Sequence, residues 1–237
     1  MTLAVKMRKK LSVIFLTLVI VVATHAEPPK DSGPRKAMPR FGDGWPGRIE
    51  PYHATPELQR SLAAFSMKAG WFRRSPKAST EESVNRRQCP SEDLPFLLFS
   101  PSKGRRLPLL MYFGGSGEMG TDLSLHFRQP GLFRKVCSVD FQKKHPCVVF
   151  SPMLPQGIRV RSAQSGWPSD GEKLICDAMY AVIRSLGPDV VDTNRLYLAG
   201  LSLGGGIAFD MPCVYPGRFA GSIPVSTAQS SRMIPER

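Results

Sequence analysis

The chain has 237 residues, enough for one domain with a sizeable core and not obviously enough for two, and its 42% hydrophobic and 22% charged composition is ordinary for a globular protein. Its net charge is +13. Lys6, Arg8, Lys9 and Lys10 fall in a targeting segment, and without them 28 basic residues face 19 acidic ones, an excess of nine. No aromatic-interleaved basic run points to nucleic acid, so the excess reads as a solvated basic surface, with an anionic surface or polymer as the alternative.

Residues 1–26 read as a signal peptide: a basic stretch to Lys10, an apolar core over 11–23 of 13 residues, and Thr24-His25-Ala26 before the cut. Thirteen residues are few for a membrane span, and no later segment is long and apolar enough to be one. The expectation is an exported protein, periplasmic or secreted, with an uncleaved membrane anchor as the alternative. Residues 27–90 then read as a linker and irregular segment. Within them 27–51 is rich in Pro, Gly and charge, 55–69 carries helix-spaced apolar residues, and 71–90 is a polar, basic loop. Five cysteines follow the signal (Cys89, Cys137, Cys147, Cys176 and Cys213), so at least one thiol is free, and Cys89 with Cys137 is the pairing that loops would permit. No Cys/His spacing suggests a metal.

Regular patterning starts at Leu94. LPFLLFS (94–100) and LPLLMYF (107–113) read as two strands forming an antiparallel hairpin. GGSGEMG (114–120) is a glycine-rich loop, 126–136 a helix, and PCVVFS (146–151) a third strand. Residues 153–169 are irregular. Leu174, Ile175, Ala178, Met179, Val182, Ile183 and Leu186 repeat at three and four, which predicts an amphipathic helix over 172–186, stopped by Gly187-Pro188. Strand 195–199 precedes Gly200-Leu201-Ser202-Leu203-Gly204, an apolar helix follows over 203–211 with Pro212 expected to kink or shorten it, and 219–226 is a fifth strand. Strands alternating with helices predict an α/β fold: a mostly parallel sheet with helices on both faces and chemistry at the carboxyl ends of the strands.

Strand, sharp turn with a serine, then helix is the context of a nucleophile elbow. The turn strains the serine, so Gly200 and Gly204 must be small to let strand and helix approach. The helix start directs backbone N–H groups, beginning with Leu203, at a developing negative charge.

Three stretches carry a family likeness over somewhat more than half of the chain. Residues 114–122 resemble an H-G-x-G-E-x-G loop, with Gly114 where His is usual and Met119 where Arg is common. Residues 192–205 (DTNRLYLAGLSLGG) resemble a D-x-x-R-(I/L)-Y-x-x-G-x-S-x-G-G nucleophile region, and 215–220 (YPGRFA) resemble its Y-P-x-R-F-A segment. Together they resemble the α/β-hydrolase superfamily, in particular exported bacterial serine esterases and predicted peptidases of the polyhydroxybutyrate-depolymerase-like and feruloyl-esterase-like group.

The resemblance implies an incomplete α/β-hydrolase domain over 91–237. It implies Ser202 as nucleophile and an oxyanion hole from Leu203 with Gly115 or Ser116. It implies a small-molecule or polymeric ester substrate, with no cofactor and no metal. It implies nothing about oligomeric state. In this fold the acid and the histidine follow the serine, yet the 35 residues after Ser202 contain no histidine. At about 30 residues per βα unit, roughly two units are wanting, so the expectation is a chain lacking its last strands, with impaired catalysis. His126 is the one histidine placed near the correct edge, Asp210 points elsewhere, and Glu118 reads as holding its loop. The alternatives are a serine-type peptidase, a non-catalytic exported binding protein, and a gene remnant.

Overall fold

The computed structural model describes residues 47–74, 93–102, 104–128, 131–156 and 169–226. The expected signal peptide, Cys89, residues 157–168 and the polar tail from 227 lie outside the described residues. A seven-stranded sheet runs through them in the order β1-β2-β3-β5-β4-β6-β7. Strands β1 (Gly47–Pro51), β2 (Met67–Arg74), β3 (Asp93–Phe99) and β5 (Val148–Pro152) pair antiparallel in succession. From β5 onward the sheet is parallel, through β4 (Leu107–Phe113), β6 (Val191–Leu201) and β7 (Gly221–Val225).

Two expectations are corrected here. The hairpin between the strands at 94 and 107 does not form, because β5 lies between β3 and β4. β3 pairs with β5 from Phe96↔Pro152 to Phe99↔Val149, and β4 takes the other side of β5. β6 takes the second edge of β4, and all seven residues of β4 are buried. The helix expected within 55–69 forms, but the rest of 47–74 is not irregular. The segment forms β1, helix α1 (Pro56–Ala64) and β2, with Thr55 Oγ1 accepting from Leu58 N at the helix start. Trp71–Arg74, expected as loop, is the end of β2, and its polar side chains are held by ion pairs: Arg73 bridges Glu50 of β1 and Asp93 of β3.

The connections put helices on both faces. Between β4 and β5 lie α2 (Leu125–Arg128), α3 (Leu132–Val136) and α4 (Val139–Lys144) in place of one helix over 126–136. Leu58, Phe133, Val136 and Phe141 from this side join Leu110, Tyr112, Val149 and Tyr197 in one core cluster. On the opposite face α5 (Asp170–Leu186) and α6 (Leu203–Val214) pack on Leu109, Met111, Phe113, Val148, Phe150 and Leu198. Helix α5 matches its pattern closely. Ser169 caps it, the Glu172 carboxylate reaches back to Ser169 N at 2.7 Å, and Gly187 at φ 97° ends it. Burial of Leu174, Ile175, Met179, Val182 and Ile183 stabilises the fold by about 1.5–3 kcal/mol for each side chain.

Pro212 neither breaks nor shortens α6, which runs on to Val214. A proline there leaves the Ala208 carbonyl without its helical donor. Ser222 Oγ, at the start of β7, donates to that carbonyl instead.

Candidate active site

The helices after β4 and β6 leave on opposite faces, so a crevice opens at the carboxyl ends of these two adjacent strands. Ser202 and the 114–120 loop meet there. Ser202 is exposed, between the end of β6 and the start of α6, at φ 55° and ψ −114°. A non-glycine residue in such a region costs about 1–3 kcal/mol and is held there only by its surroundings. Those surroundings are specific. Ser202 N donates to the Val225 carbonyl of β7 at 2.9 Å, and Gly206 N donates to the Ser202 carbonyl at 3.0 Å.

The elbow glycines are required by close backbone approach. A Cβ on Gly200 would stand 2.1 Å from the Gly204 carbonyl oxygen. On Gly204 it would stand 2.2 Å from the Phe113 carbonyl oxygen and 2.5 Å from that of Gly114, and on Gly205 2.6 Å from the Val225 carbonyl oxygen. The glycines therefore set how near α6 comes to β4, β6 and β7. Leu203 opens α6, where the N–H has no intrahelical acceptor.

The other wall is the loop after β4. A Cβ on Gly115 would lie 3.8 Å from Ser202 Cβ, which places this loop against the serine. Residues Ser116–Glu118 form a single 3-10 turn. The Glu118 carboxylate accepts from Gly115 N at 2.8 Å, so that amide is engaged, and Glu118 holds its loop as expected. Burial pushes the Glu118 carboxyl above its ordinary range, with the Gly115 N–H working in the other direction. Burial, and then the charge of Glu118, raises the Tyr112 phenol beneath the loop. Ser116 is exposed at the first position of the turn.

Two contacts that sequence reading missed brace this loop. Tyr52 Oη donates to the Thr121 carbonyl at 2.7 Å across 69 positions of sequence, and its ring stacks on Trp71 at 5.6 Å. Gly120 N donates to the Leu154 carbonyl after β5. A recess of about 440 Å3 opens beside it, lined by Met119, Gly120, Thr121, Asp122, Pro155 and Gln156. Nothing in a lone tyrosine before a helix cap signals such a contact.

The described histidines do not complete a catalytic pair with Ser202. His126 is 1% exposed in the core, edge-on to Tyr112. Ser151 Oγ donates to the Tyr112 carbonyl at 3.0 Å, so the 3.3 Å contact to His126 Nδ1 is an N–H donated by the imidazole. That assigns the neutral Nδ1–H form, with Nε2 buried and unpartnered, and burial depresses its pKa to about 4. His53 is exposed beyond β1, and His145 packs on Phe141 at the end of α4. Among the described residues no imidazole is hydrogen-bonded to Ser202. Asp210 is buried within α6. Among the described residues no cluster of His, Cys, Asp or Glu is suited to a metal, and no helix is long and apolar enough to cross a membrane.

The solved structure of a thermostable esterase superimposes on this chain with a TM-score of 0.54 at 23% identity, over 73% of this chain and 43% of that one. This chain has the α/β-hydrolase fold. Lower similarity links it to S-formylglutathione hydrolase from Staphylococcus aureus (TM-score 0.44, 15% identity, 59% of this chain and 54% of that one). The acetyl xylan esterase from Aspergillus awamori follows (TM-score 0.41, 17% identity, 55% and 48%). The chain thus spans about half the length of the solved structures it matches. No protein-family model matches the sequence, and no curated protein matches it. Within this fold Ser202 stands at the turn between β6 and α6, and the 114–120 loop forms the facing wall of the crevice.

Proposed function

We propose that the chain carries the nucleophile half of a serine hydrolase site that acts on carboxylic esters. The observation that supports this most directly is the backbone of Ser202: a strained, exposed serine between a central strand and a helix, with glycines around it that no larger residue can replace. Ser66, Arg106 and Ser226 also have positive φ, but Ser202 is the one of the four set directly between a parallel strand and a helix with glycines packed backbone to backbone around it, which is what a preorganised nucleophile needs. In the proposed step Ser202 Oγ attacks the ester carbonyl carbon and gives up its proton. The carbonyl oxygen takes up negative charge facing Leu203 N–H and the start of the 116–118 turn. The carbon–oxygen bond to the alcohol then breaks, the alcohol leaves with a proton, and water releases the acid from the acyl-serine. Each oxyanion donor is worth about 10²–10³ in rate. Since the Gly115 amide is held by Glu118, Leu203 and Ser116 are the stronger donor candidates.

The proton acceptor is not among the described histidines. A serine lacking its base loses several powers of ten in rate. That observation favours a second reading, in which the chain is a non-catalytic exported protein that keeps the hydrolase frame for binding. The two are separated with the full chain, a short-chain nitrophenyl ester and a fluorophosphonate probe. Hydrolysis and labelling that both vanish in Ser202→Ala establish the hydrolase. Activity that survives Ser202→Ala, or no labelling of the wild-type chain, removes it in favour of binding. A peptide-bond substrate is the variant of the first reading in which a peptide analogue is turned over faster than the ester.

A further inference from the structure

The α3–α4 segment bears an unpaired basic face around an exposed apolar residue. Phe133, Val136, Cys137 and Phe141 turn into the core, so the other side of both short helices turns outward. That side presents Arg134, Lys135, Lys143 and Lys144, all exposed, against one acid, Asp140. Elsewhere Arg48, Arg73, Arg74, Arg106, Lys173 and Arg195 each sit against a carboxylate, while exposed Arg60, Lys68 and Arg105 are also without an ion pair to a described residue but stand on separate elements. The four cations here take part in no ion pair with a described residue; Arg134 instead lies over the ring of Phe65 at 5.7 Å. Between the two pairs of cations in sequence stands Val139, 66% exposed, at the first position of α4.

Unpaired lysines and arginines around a protruding aliphatic side chain suit an anionic lipid surface. The cations meet headgroup charge, and the apolar tip enters the boundary with the acyl chains. A soluble polyanion uses the cations but has no use for Val139. We propose that the α3–α4 face docks this protein on an anionic bilayer, independently of any reaction at Ser202. The sheet fixes the orientation. Three residues separate the end of α4 from the start of β5, and β5, β4 and β6 run parallel, whereas Ser202 follows the far end of β6. The end of α4 and the serine crevice thus lie at opposite ends of these strands.

The test uses lysine acetylation of the full chain, mapped by peptide mass spectrometry, with phosphatidylcholine vesicles that do or do not contain phosphatidylglycerol. Because the readout is local, membrane contacts of the N-terminal segment do not imitate it. Lys135, Lys143 and Lys144 should lose reactivity several-fold with the anionic vesicles alone, Lys173 on the other face of the sheet should not, and high salt should reverse the protection. In Lys143→Glu/Lys144→Glu the vesicle concentration that protects Lys135 should rise by roughly fivefold or more for each cation removed. Val139→Asp should also weaken protection. Unchanged reactivity with anionic vesicles overturns the proposal. So does equal protection by dextran sulfate without lipid, if Val139→Asp leaves it unaltered, since the partner is then a soluble polyanion.

Discussion

Replacing Gly204 by alanine tests the elbow most sharply. The new Cβ would lie 2.2 Å from the Phe113 carbonyl oxygen and 2.5 Å from that of Gly114, both backbone atoms of β4 and the loop it feeds. Ordinary contact begins near 3.4 Å, so α6 must retreat by more than 1 Å. Overpacking of this kind costs roughly 1–3 kcal/mol, and rigid neighbours put this site at about 3 kcal/mol. At about 2–4 °C per kcal/mol for a domain of this size, the melting temperature should fall by about 6–12 °C. The same retreat draws the Ser202 turn away from Gly115. A misplacement of about 1 Å costs roughly 10² in rate, so Ser202 labelling should slow by that factor below the transition. Gly117→Ala is the control, because no atom lies within 4 Å of its Cβ position. A Gly204→Ala protein that melts and labels like Gly117→Ala would refute the claim that backbone contact sets the elbow.

Three further outcomes follow from the same structure. Ser222→Ala removes the donor to the Ala208 carbonyl opposite Pro212, and the unsatisfied acceptor should cost about 1–3 kcal/mol in denaturant titration; a smaller loss in a Pro212→Ala background, where a helical N–H is restored, checks the assignment. His126, held neutral with a pKa near 4 against 6.5 unfolded, binds fewer protons in the folded chain, so its contribution is complete above pH 6.5 and is lost as pH falls toward 4. That amounts to about 3 kcal/mol, and His126→Phe should flatten this part of the stability–pH curve. Finally, iodoacetamide should modify exposed Cys213 in the native chain well before buried Cys137, Cys147 and Cys176, as peptide mapping would show; burial pushes the Cys147 and Cys176 thiols up to about 12.

The elbow was legible in sequence because its constraints are local. Gly200, Ser202 and Gly204 lie within five residues, and the strand and helix that make them meaningful flank them directly. Helix α5 was legible because one face repeats over seventeen residues. Strands β1 and β2 were not, since GRIEP and MKAGWFRR contain few apolar residues in alternation. Their cohesion comes from main-chain pairing and from Arg73 between Glu50 and Asp93, which no single-chain periodicity records. The misplaced hairpin has a similar origin. Two apolar runs separated by a short turn favour pairing with each other, and only the later strand at 148–152, apolar on both faces, displaces that arrangement. His126 looked available beside a glycine loop. Its neighbours Leu123 and Phe133 take it into the core, and a histidine's burial is set by such tertiary packing rather than by its own type.

The strand order also bears on how the chain comes into being. β4 is buried along its whole length, yet both of its partners, β5 and β6, are made after it. Between Phe113 and Leu201 the ribosome must add 88 residues. At roughly 5–20 residues per second that takes about 4–18 s. Throughout that interval an apolar strand with one or two open edges is available to any other chain nearby. The central strand that feeds the 114–120 loop in the finished protein is therefore an aggregation hazard of the nascent chain, and a segment a holding chaperone would be expected to cover.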